Sequence, residues 1–389
     1  MKKVLISFPT LKIKNEEGSK HRLICHINEY KRHGYEVDVL AFCKDAVFTC
    51  DKRYLTAEAN WIIRPMLFPR GKNLFLTKML MAYLKFVIGI HTWLKRYDVV
   101  QMEMFGSRSF LCRKGTKYIT DVHGDSVYET KEMHEGKEWF VNYNFKQQKE
   151  FVNKSDICIF VSENLKKQLE INTRCKVHDY AIISCGVDID KFVTARKESF
   201  NDLDLSERIV LGYCGAFQKW QNFETMIDLA IRLREKDERV FLLVFSNSRP
   251  NENELRKLEE LGDNNYLIKG LHPDEVPSHL KLMDAGMLLR SDLVMNKVSS
   301  PTKICEYLAS GVPLICTLYS GDYQRSVIHG ENGFVAHNVE FTDQEISDLM
   351  NWLKKVKENR KRIADKCVNS VLNRTFEEEF NALAEKLNY

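Results

Sequence analysis

Short aliphatic runs alternate with longer amphipathic segments twice along the chain, and this alternation constrains the fold more than any other feature. Such alternation is typical of crossover units, in which a helix connects two parallel strands. The first series predicts strands at residues 4–8, 36–42, 98–104, 117–122, 156–161 and 179–184. A second series begins near Arg208 and predicts strands at residues 209–214, 240–245, 266–269, 286–289 and 313–317. The chain is therefore predicted to contain two α/β domains, each with a doubly wound parallel sheet.

The segments between the strands predict amphipathic helices, for example at residues 19–32, 74–96, 136–153 and 163–171. A polar and charged stretch separates the two series. We accordingly expect a first domain over residues 1–190, a linker over residues 191–206 and a second domain over residues 207–372. The last segment, residues 373–389, is predicted to hold a helix with no strand after it.

The charge balance argues against a binding surface spread over the whole protein. With 58 Lys and Arg against 54 Asp and Glu, the net charge is +4, too small for the concentrated basic face of a nucleic-acid-binding protein. Any anion site must therefore be local. The 11 cysteines are odd in number and include no Cys-x-x-Cys pair, as in cytoplasmic proteins with reduced thiols. The first residues predict a strand rather than a signal peptide.

Residues 74–96 form the most apolar of the predicted helices. Lys78 and Lys85 lie inside this segment, which makes it a poor candidate for crossing a membrane. We expect a core helix of the first domain, because buried helices of this kind are common in α/β domains. The alternative is a helix whose basic and apolar face lies on a membrane surface.

The strongest local signal for a binding site is the segment SSPTKICEYLASGVPLICT, at residues 299–317. Ser300 is predicted to cap a helix in which the first amides, those of Thr302 and Lys303, are unpaired. A helix end of this kind binds anions. Lys303 opposes the helix dipole unless a bound anion faces it. The structural alternative is an ion pair between Lys303 and Glu306, one turn later.

Two further cations follow strands of the second domain. Arg290 ends the strand at residues 286–289, at the edge where parallel sheets bind ligands. Lys219 lies in a Gly-containing turn between a strand and a helix that begins near Asn222. Such turns place backbone amides at phosphates, although they occur in many α/β proteins. Arg290, Lys303 and the free helix end are therefore expected to converge on one crevice, whereas the turn with Lys219 is a weak signal by itself.

In the first domain a strand ends on Asp121 and is followed by His123, Gly124 and Asp125. A histidine in such a place is more often structural than functional. At the edge of a crevice, however, a His-Gly-Asp turn is suited to handling a proton or a sugar hydroxyl. His123 and Asp125 are the candidates for positioning an acceptor or a sugar.

Together these motifs resemble those of the GT-B glycosyltransferases, in particular the large retaining family 4. Residues 306–315 are similar to the second half of the family's E-x7-E pattern, and the preceding Pro-Thr-Lys is similar to that of polysaccharide-cluster members. Further segments are similar to the family's G-H-E-V, V-S-E, N-G-V-D-x-x-x-F and G-x-x-G patterns; they begin at Gly34, Ser162, Cys185 and Gly330. The resemblance implies two facing Rossmann-like domains, acceptor-binding first and donor-binding second, with a C-terminal helix crossing back to the first.

The resemblance also implies roles for individual donor-site residues. Glu306 matches the glutamate that holds the ribose hydroxyls of the nucleotide. Ser300, Thr302 and Lys303 lie in the stretch whose amides contact the diphosphate. Lys303, with Arg290 and Lys219, would stabilise the leaving diphosphate, so no metal cofactor is expected.

In the first domain, Gly18 and Ser19 match the family's Gly-rich loop that approaches the donor. His123 matches the histidine that contacts the transferred sugar. The sequence departs from the family at three places in the second domain: Val298 replaces the first Glu of E-x7-E, Ala216 replaces an arginine, and Gln221 with Asn222 replaces a Lys-Gly pair.

We therefore expect a retaining, metal-independent glycosyltransferase that moves a sugar from a nucleoside-diphosphate sugar to a hydroxyl of a glycan or lipid-linked glycan. It is expected in the cytoplasm, with peripheral contact to the inner membrane. The alternatives are another GT-B enzyme, an epimerase or a phosphorylase, and a non-catalytic GT-B subunit that binds nucleotide or glycan. The three departures favour the non-catalytic subunit, whereas the retained Lys303, Glu306 and His123 favour the enzyme.

Overall fold

The computed structural model describes residues 1–8, 18–43, 58–67, 72–103, 112–133, 137–200 and 203–388. The chain divides into two compact units. The first consists of Met1–Cys185 together with Phe376–Tyr389, and the second of Gly186–Thr375. No disulfide joins the cysteines of the described residues.

The first unit contains seven strands and six helices among its described residues. The strands are β1 (Lys2–Phe8), β2 (Tyr35–Cys43), β3 (Asn60–Pro65), β4 (Val99–Glu103), β5 (Lys117–Val122), β6 (Ile157–Phe160) and β7 (Tyr180–Ile182). They form one parallel sheet in the order β3-β2-β1-β4-β5-β6-β7. The helices are α1 (Gly18–Arg32), α2 (Leu74–Lys95), α3 (Ser126–Met133), α4 (Glu138–Lys154), α5 (Glu163–Thr173) and the C-terminal α14 (Phe376–Asn388).

The strands of this sheet are buried on both faces. In β1, Val4 and Ile6 pack into a core shared with α1 and α14, whereas Leu5 points into a second core shared with α2 and α4. Because successive side chains of a strand alternate between faces, an unbroken apolar run needs helices on both sides. Burial by helices on both faces of the sheet therefore explains the continuous aliphatic runs that predicted these strands.

The second unit contains six strands and eight helices among its described residues. The strands are β8 (Ile209–Cys214), β9 (Val240–Phe245), β10 (Tyr266–Lys269), β11 (Ala285–Leu288), β12 (Leu314–Thr317) and β13 (Gly333–Ala336), in the parallel order β10-β9-β8-β11-β12-β13. The helices are α6 (Ile189–Thr194), α7 (Phe223–Arg234), α8 (Glu252–Leu261), α9 (Val276–Leu280), α10 (Val294–Val298), α11 (Thr302–Ala309), α12 (Asp343–Glu358) and α13 (Arg360–Asn369).

The predicted fold class is confirmed, with two differences in the strands. The edge strands β3 and β13 were not predicted from the sequence. Both are edge strands that pair on one side only, as are β7 and β10, which were predicted. The stretch predicted as a linker packs on the second unit, where Phe192, Phe200 and Leu203 contact the core.

The C-terminal helix α14 packs within the first unit. Its Phe380 is fully buried and meets the ring of Tyr30 edge to face, with 5.1 Å between ring centroids. The Glu379 carboxylate accepts hydrogen bonds from the amide and hydroxyl of Ser184, just beyond β7. The end of the chain thus completes the core of the first unit.

Helix α2 buries only one of its faces. Leu80, Leu84 and Ile88 pack against the sheet, whereas Phe86 and Trp93 are exposed. By length and composition, α2 is the one helix of the described residues that could cross a bilayer, and a third of its most apolar window is buried. The expectation of a core helix therefore holds for one face of α2 and not for the other.

Candidate active site

The second unit has a cleft of about 430 Å³ at the carboxyl ends of its strands. Strand β8 has β9 on one side and β11 on the other, so the strand order reverses between β8 and β11. Parallel sheets bind ligands at such a reversal, outside the carboxyl ends of the strands. The cleft is lined by residues that follow β8, β9 and β10 and by the first turns of α11.

The N-terminus of α11 lies in this cleft without a side-chain cap. Pro301 occupies the N-cap position and offers no side-chain acceptor, so Thr302 and Lys303 are the first residues of the helix. Our expectation that Ser300 caps the helix is wrong, because the helix begins one residue later and the Ser300 hydroxyl donates to Asp322 (3.1 Å). The first amides of α11 therefore have no acceptor from a cap, as an anion-binding helix end requires.

Tyr307 holds α11 against the end of β8. Its hydroxyl accepts a hydrogen bond from the Cys214 amide at 2.8 Å, and its ring lies over Gly286 of β11. A Cβ on Gly286 would be 2.6 Å from that ring. The glycine thus allows the close approach that sets the position of Lys303 one turn earlier.

The Lys303 side chain crosses the turn that follows β8. A Cβ on Gly215 would lie 2.6 Å from Lys303 Cε and 3.0 Å from its Nζ. Burial lowers the pKa of Lys303; Glu306 opposes this shift and Arg290 adds to it. Within the described residues, Lys303 makes no ion pair, so its charge is not neutralised by a carboxylate in direct contact.

Arg290 is a second cation without a carboxylate partner among the described residues. It is buried just after β11, its Nη1 donates to the Trp220 carbonyl at 3.0 Å, and its Nε has no hydrogen-bond partner. Burial lowers the pKa of Arg290 to about 10. A buried guanidinium without a counter-ion is costly, and a bound anion would remove that cost.

Lys219 lies in the turn between β8 and α7 and is exposed. The turn is fastened by Asn222, whose side chain donates to the Leu289 carbonyl (3.2 Å) and to Ser291 Oγ (3.0 Å). Asn222 precedes α7 as expected, but its side chain makes no cap. Lys303 and Glu306 both line the cleft, whereas Lys219 is not among its lining residues. The structure therefore brings Lys303 and Glu306 together there without Lys219.

The cleft also has a wall that sequence reasoning missed. The apolar side chains on this wall come from α6, the end of β9, the loop after β10 and α9; they are Phe192, Phe245, Leu271, Pro273 and Val276. Asn247 joins two of these segments, because its amide donates to the Leu271 carbonyl at 3.0 Å. Their position after parallel strands is a signal that could have found them. A flat apolar group next to the ammonium group of Lys303 is the ligand chemistry that this cleft fits; Arg290 is not among the residues that line it.

In the first unit, His123 follows β5 and lies between two carboxylates. Its Nε2 is 2.8 Å from Asp121 Oδ2, and its Nδ1 is 3.3 Å from Glu103 Oε1, at the end of β4. Burial alone would lower the pKa of His123, but Asp121 and Glu103 outweigh burial and raise it. An imidazolium that donates from both nitrogens fits these contacts. Glu103, which sequence reasoning missed, ends the strand next to β5.

Asp121 is the centre of a buried cluster. Arg22 of α1 binds it through two nitrogens, at 2.9 and 2.7 Å, and His26 Nε2 lies 3.1 Å from its Oδ2. Burial would raise the pKa of Asp121, but the charges of Arg22 and His123 hold it well below its usual range. Asp121 therefore remains ionised and orients His123.

Asp125 has a structural position. It is fully buried, and its Oδ1 accepts from the Val127 amide at 3.1 Å and from Gln148 at 2.8 Å, while Asn172 donates to Oδ2 at 2.6 Å. Both oxygens are used in holding the start of α3 against α4 and α5. Our assignment of Asp125 to a sugar or an acceptor is therefore wrong, because the carboxylate faces inward.

Four other positions named in the sequence analysis are placed as follows. Gly18 and Ser19 form the first turn of α1, and the loop before them, residues 9–17, lies outside the described residues. Val298 is the buried last residue of α10 and is not among the residues that line the cleft. Ala216 does line the cleft, so its small side chain leaves the space that an arginine would fill.

Both halves of the chain match protein-family models. Residues 195–367 match the model described as "Glycosyl transferases group 1", and residues 21–191 match "Glycosyltransferase Family 4". The chain is also 27% identical over 172 residues to TuaH of Bacillus subtilis, described as a putative teichuronic acid biosynthesis glycosyltransferase. That alignment covers 43% of this chain and 41% of TuaH, so the chain spans less than half the length of this relative.

Solved structures resemble the whole chain. HepE of Anabaena, in complex with UDP, aligns over 100% of both chains with a TM-score of 0.69 and 16% identity. A variant of S. aureus TarM in complex with fondaparinux, α-GlcNAc-glycerol and UDP aligns over 100% of both chains with a TM-score of 0.65 and 10% identity. Likenesses at these identities establish the fold. Taken with the two family models, they show that the chain belongs to the glycosyltransferases of the GT-B fold.

Proposed function

We propose that the protein is a retaining glycosyltransferase that moves a sugar from a nucleoside-diphosphate sugar to a hydroxyl of a glycan or a lipid-linked glycan. One observation carries the donor assignment. Two cations, the buried Arg290 and the partly buried Lys303, have no ion-pair partner within the described residues and accompany an uncapped helix end. A diphosphate supplies the negative charge that this arrangement lacks.

In this proposal the cations act on the leaving group. Loss of the nucleoside diphosphate builds negative charge on the diphosphate oxygens, which Lys303, Arg290 and the amides of Thr302 and Lys303 would stabilise. A preorganised donor of this kind contributes about 2.7–4 kcal/mol to the transition state. Lys219, in its exposed turn, is proposed to assist when the donor is bound.

The remaining groups of the cleft suit the nucleoside. Glu306 lies on the same side of α11 as Lys303 and lines the cleft. Its carboxylate can accept hydrogen bonds from two neighbouring ribose hydroxyls, and the apolar wall can pack against a base. The UDP bound in the HepE and TarM structures makes uridine donors the first to test.

We further propose that transfer needs no metal ion, because protein cations supply the positive charge at the diphosphate. Activity should therefore persist when EDTA is added to the assay. His123 is proposed to contact the transferred sugar, with Asp121 holding its ring in place. The acceptor is proposed to be a growing polysaccharide, in keeping with the description of TuaH, and the site of action is proposed to be the cytoplasmic face of the membrane.

A ligand-binding experiment tests the donor assignment. Thermal shifts with UDP-, GDP-, ADP- and CMP-sugars should reveal one donor class that stabilises the protein, since binding at 100 times Kd adds about 2.7 kcal/mol. The variant Glu306→Ala should lose this shift, whereas Glu340→Ala, at an exposed position of the same unit, should retain it. If no nucleotide sugar shifts the wild-type protein, the donor assignment fails.

The anomeric outcome is tested on the product. Once a donor is found, NMR of the new glycosidic bond should show the anomeric configuration of the donor. An inverted product would contradict retention. Binding of the donor with neither transfer nor hydrolysis would instead support the non-catalytic GT-B subunit.

Replacement of Gly215 by alanine is predicted to weaken donor binding by about 10- to 100-fold, the loss of one charge-assisted hydrogen bond. The added Cβ would meet Lys303 Cε and push its ammonium group out of the cleft. The positive φ of Gly215 adds backbone strain of about 1–3 kcal/mol. Calorimetric titration with UDP measures the affinity.

The matched control for Gly215→Ala is Gly330→Ala. Gly330 also has a positive φ, but a Cβ there would meet nothing within 4 Å. Both variants should lose stability, and only Gly215→Ala should lose affinity. Equal UDP affinities for the two variants would show that Lys303 does not hold the diphosphate.

A further inference from the structure

Four large hydrophobic side chains form an exposed stripe along α2. Phe75, Met79, Phe86 and Trp93 follow one another at helical intervals, so they point in nearly the same direction. Phe75 is 70% exposed, Phe86 49% and Trp93 63%. At the rise of an α-helix, the stripe is about 27 Å long. An exposed apolar patch of this extent marks an interaction surface.

The opposite face of α2 is already packed. Leu80, Leu84 and Ile88 are buried in the core between α2 and the sheet of the first unit. Lys85, at the side of the helix, is paired with Glu150 of α4 at 3.0 Å. A helix fastened in this way lies along a surface and does not cross a bilayer.

The sequence segment that carries the stripe is rich in cations. Residues 59–97 contain seven Lys and Arg and no Asp or Glu, while the rest of the chain carries a net charge of −3. Among these cations, Lys72 is exposed just before α2, Lys78 is exposed in its first half, and Arg96 is exposed just after its end. The sequence segment that contains α2 therefore carries an excess of positive charge, although two of its cations are paired, Lys85 with Glu150 and Lys95 with Asp38.

We propose that the α2 stripe docks on the surface of a bilayer that contains anionic phospholipids. The aromatic side chains enter the boundary between headgroups and acyl chains, with Trp93 at one end of the stripe, and the lysines meet the phosphates. Charge complementarity favours an anionic bilayer over a second copy of the chain as the partner of this stripe, because two copies would place the same cations against each other. The proposal is independent of the donor site.

Vesicle sedimentation of the full chain tests this docking. Vesicles of phosphatidylcholine and phosphatidylglycerol should bind the protein at least about tenfold more tightly than vesicles of phosphatidylcholine alone, and added salt should weaken the binding. The double variant Phe86→Ser with Trp93→Ser should bind at least about tenfold more weakly than the wild type. Ile171→Ser is the matched control, since Ile171 is 71% exposed on α5 of the same unit.

Two further measurements separate docking from a folding defect. Far-ultraviolet circular dichroism and UDP binding should be the same for all variants. Replacing Lys72 and Lys78 by Gln should weaken binding to anionic vesicles, whereas Lys167→Gln, on α5, should not. Brominated lipids should quench the fluorescence of Trp93, and this quenching should be absent in Trp93→Ser.

Either of two results would overturn the proposal. One is that the Phe86 and Trp93 double variant binds anionic vesicles as tightly as Ile171→Ser does. The other is that the protein does not bind vesicles but sediments as a dimer in the analytical ultracentrifuge, and that the double variant is a monomer. This result would assign the stripe to contact with a second copy of the chain.

Discussion

The variant Lys303→Met is expected to transfer sugar about 10²- to 10³-fold more slowly than the wild type, which is the usual loss when one preorganised donor is removed. Methionine keeps most of the aliphatic length that crosses Gly215 but carries no charge. The negative charge that develops on the diphosphate would then face Arg290 and the helix end alone. Single-turnover rates with saturating donor measure the effect.

The same variant is expected to be more stable than the wild type in the absence of ligand. Burial and Arg290 lower the pKa of Lys303, which means that the folded protein holds this charge at a cost. Removing the charge removes the cost, so the melting temperature should rise while activity falls. Lys355→Met, at an exposed position on α12, should change neither quantity. Transfer by Lys303→Met within tenfold of the wild type would exclude the proposed role.

The variant Asp121→Ala is expected to destabilise the first unit by about 3–5 kcal/mol, the loss typical of a buried pair from which one partner is removed. Arg22 is 4% exposed and would keep its charge without its carboxylate. Native-state hydrogen exchange of the β5 amides, measured for the intact chain, gives the free energy of opening. Asp179→Ala removes the half-exposed pair with Lys386 and should cost under about 1 kcal/mol.

The double variant Arg22→Met with Asp121→Ala tests the cause of that loss. If the unpaired guanidinium is responsible, the double variant should be more stable than Asp121→Ala. A double variant as unstable as the single one would mean that packing, and not charge, explains the loss.

His123 gives a second readout for Asp121→Ala. In the wild type its raised pKa adds stability that is fully present below about pH 6.5, the ordinary value for histidine, and is lost as the pH rises through the raised value. Without Asp121 the pKa of His123 should fall. NMR titration of the imidazole resonances should therefore shift to lower pH in the variant.

Sequence patterns predicted most of the fold because a strand that is buried on both faces needs a continuous run of apolar residues, which is visible in the sequence. The strands β5, β8, β9 and β10 have the predicted bounds, and each is a run of mainly apolar residues between polar ends. The missed strands β3 and β13 are edges, where pairing on one side demands fewer apolar residues, but the edge strands β7 and β10 were predicted. Ser162, which was predicted to cap α5, does so by accepting from the Leu165 amide.

The candidate site was harder to predict because its residues come from separate segments. Lys303 and Glu306 stood out because they share one short motif. Their neighbours Phe192 and Leu271 come from other segments, and so does Glu103 beside His123; no short motif links them to the residues that they accompany. Asp125 was misassigned because a buried helix-start residue and a site residue have the same sequence context.

The sequence by itself determined the two parallel sheets and the motif that begins α11, because periodicity is a property of neighbouring residues, although the cap predicted at Ser300 is wrong. Only the tertiary structure decided which charges have partners. Gln148 and Asn172 donate hydrogen bonds to the Asp125 carboxylate, and Arg22 pairs with Asp121. Lys303 and Arg290, in contrast, have no ion pair among the described residues. It likewise decided that one face of α2 is buried and the other open. Partners and exposure depend on what the fold brings near each side chain, and no local pattern contains that information.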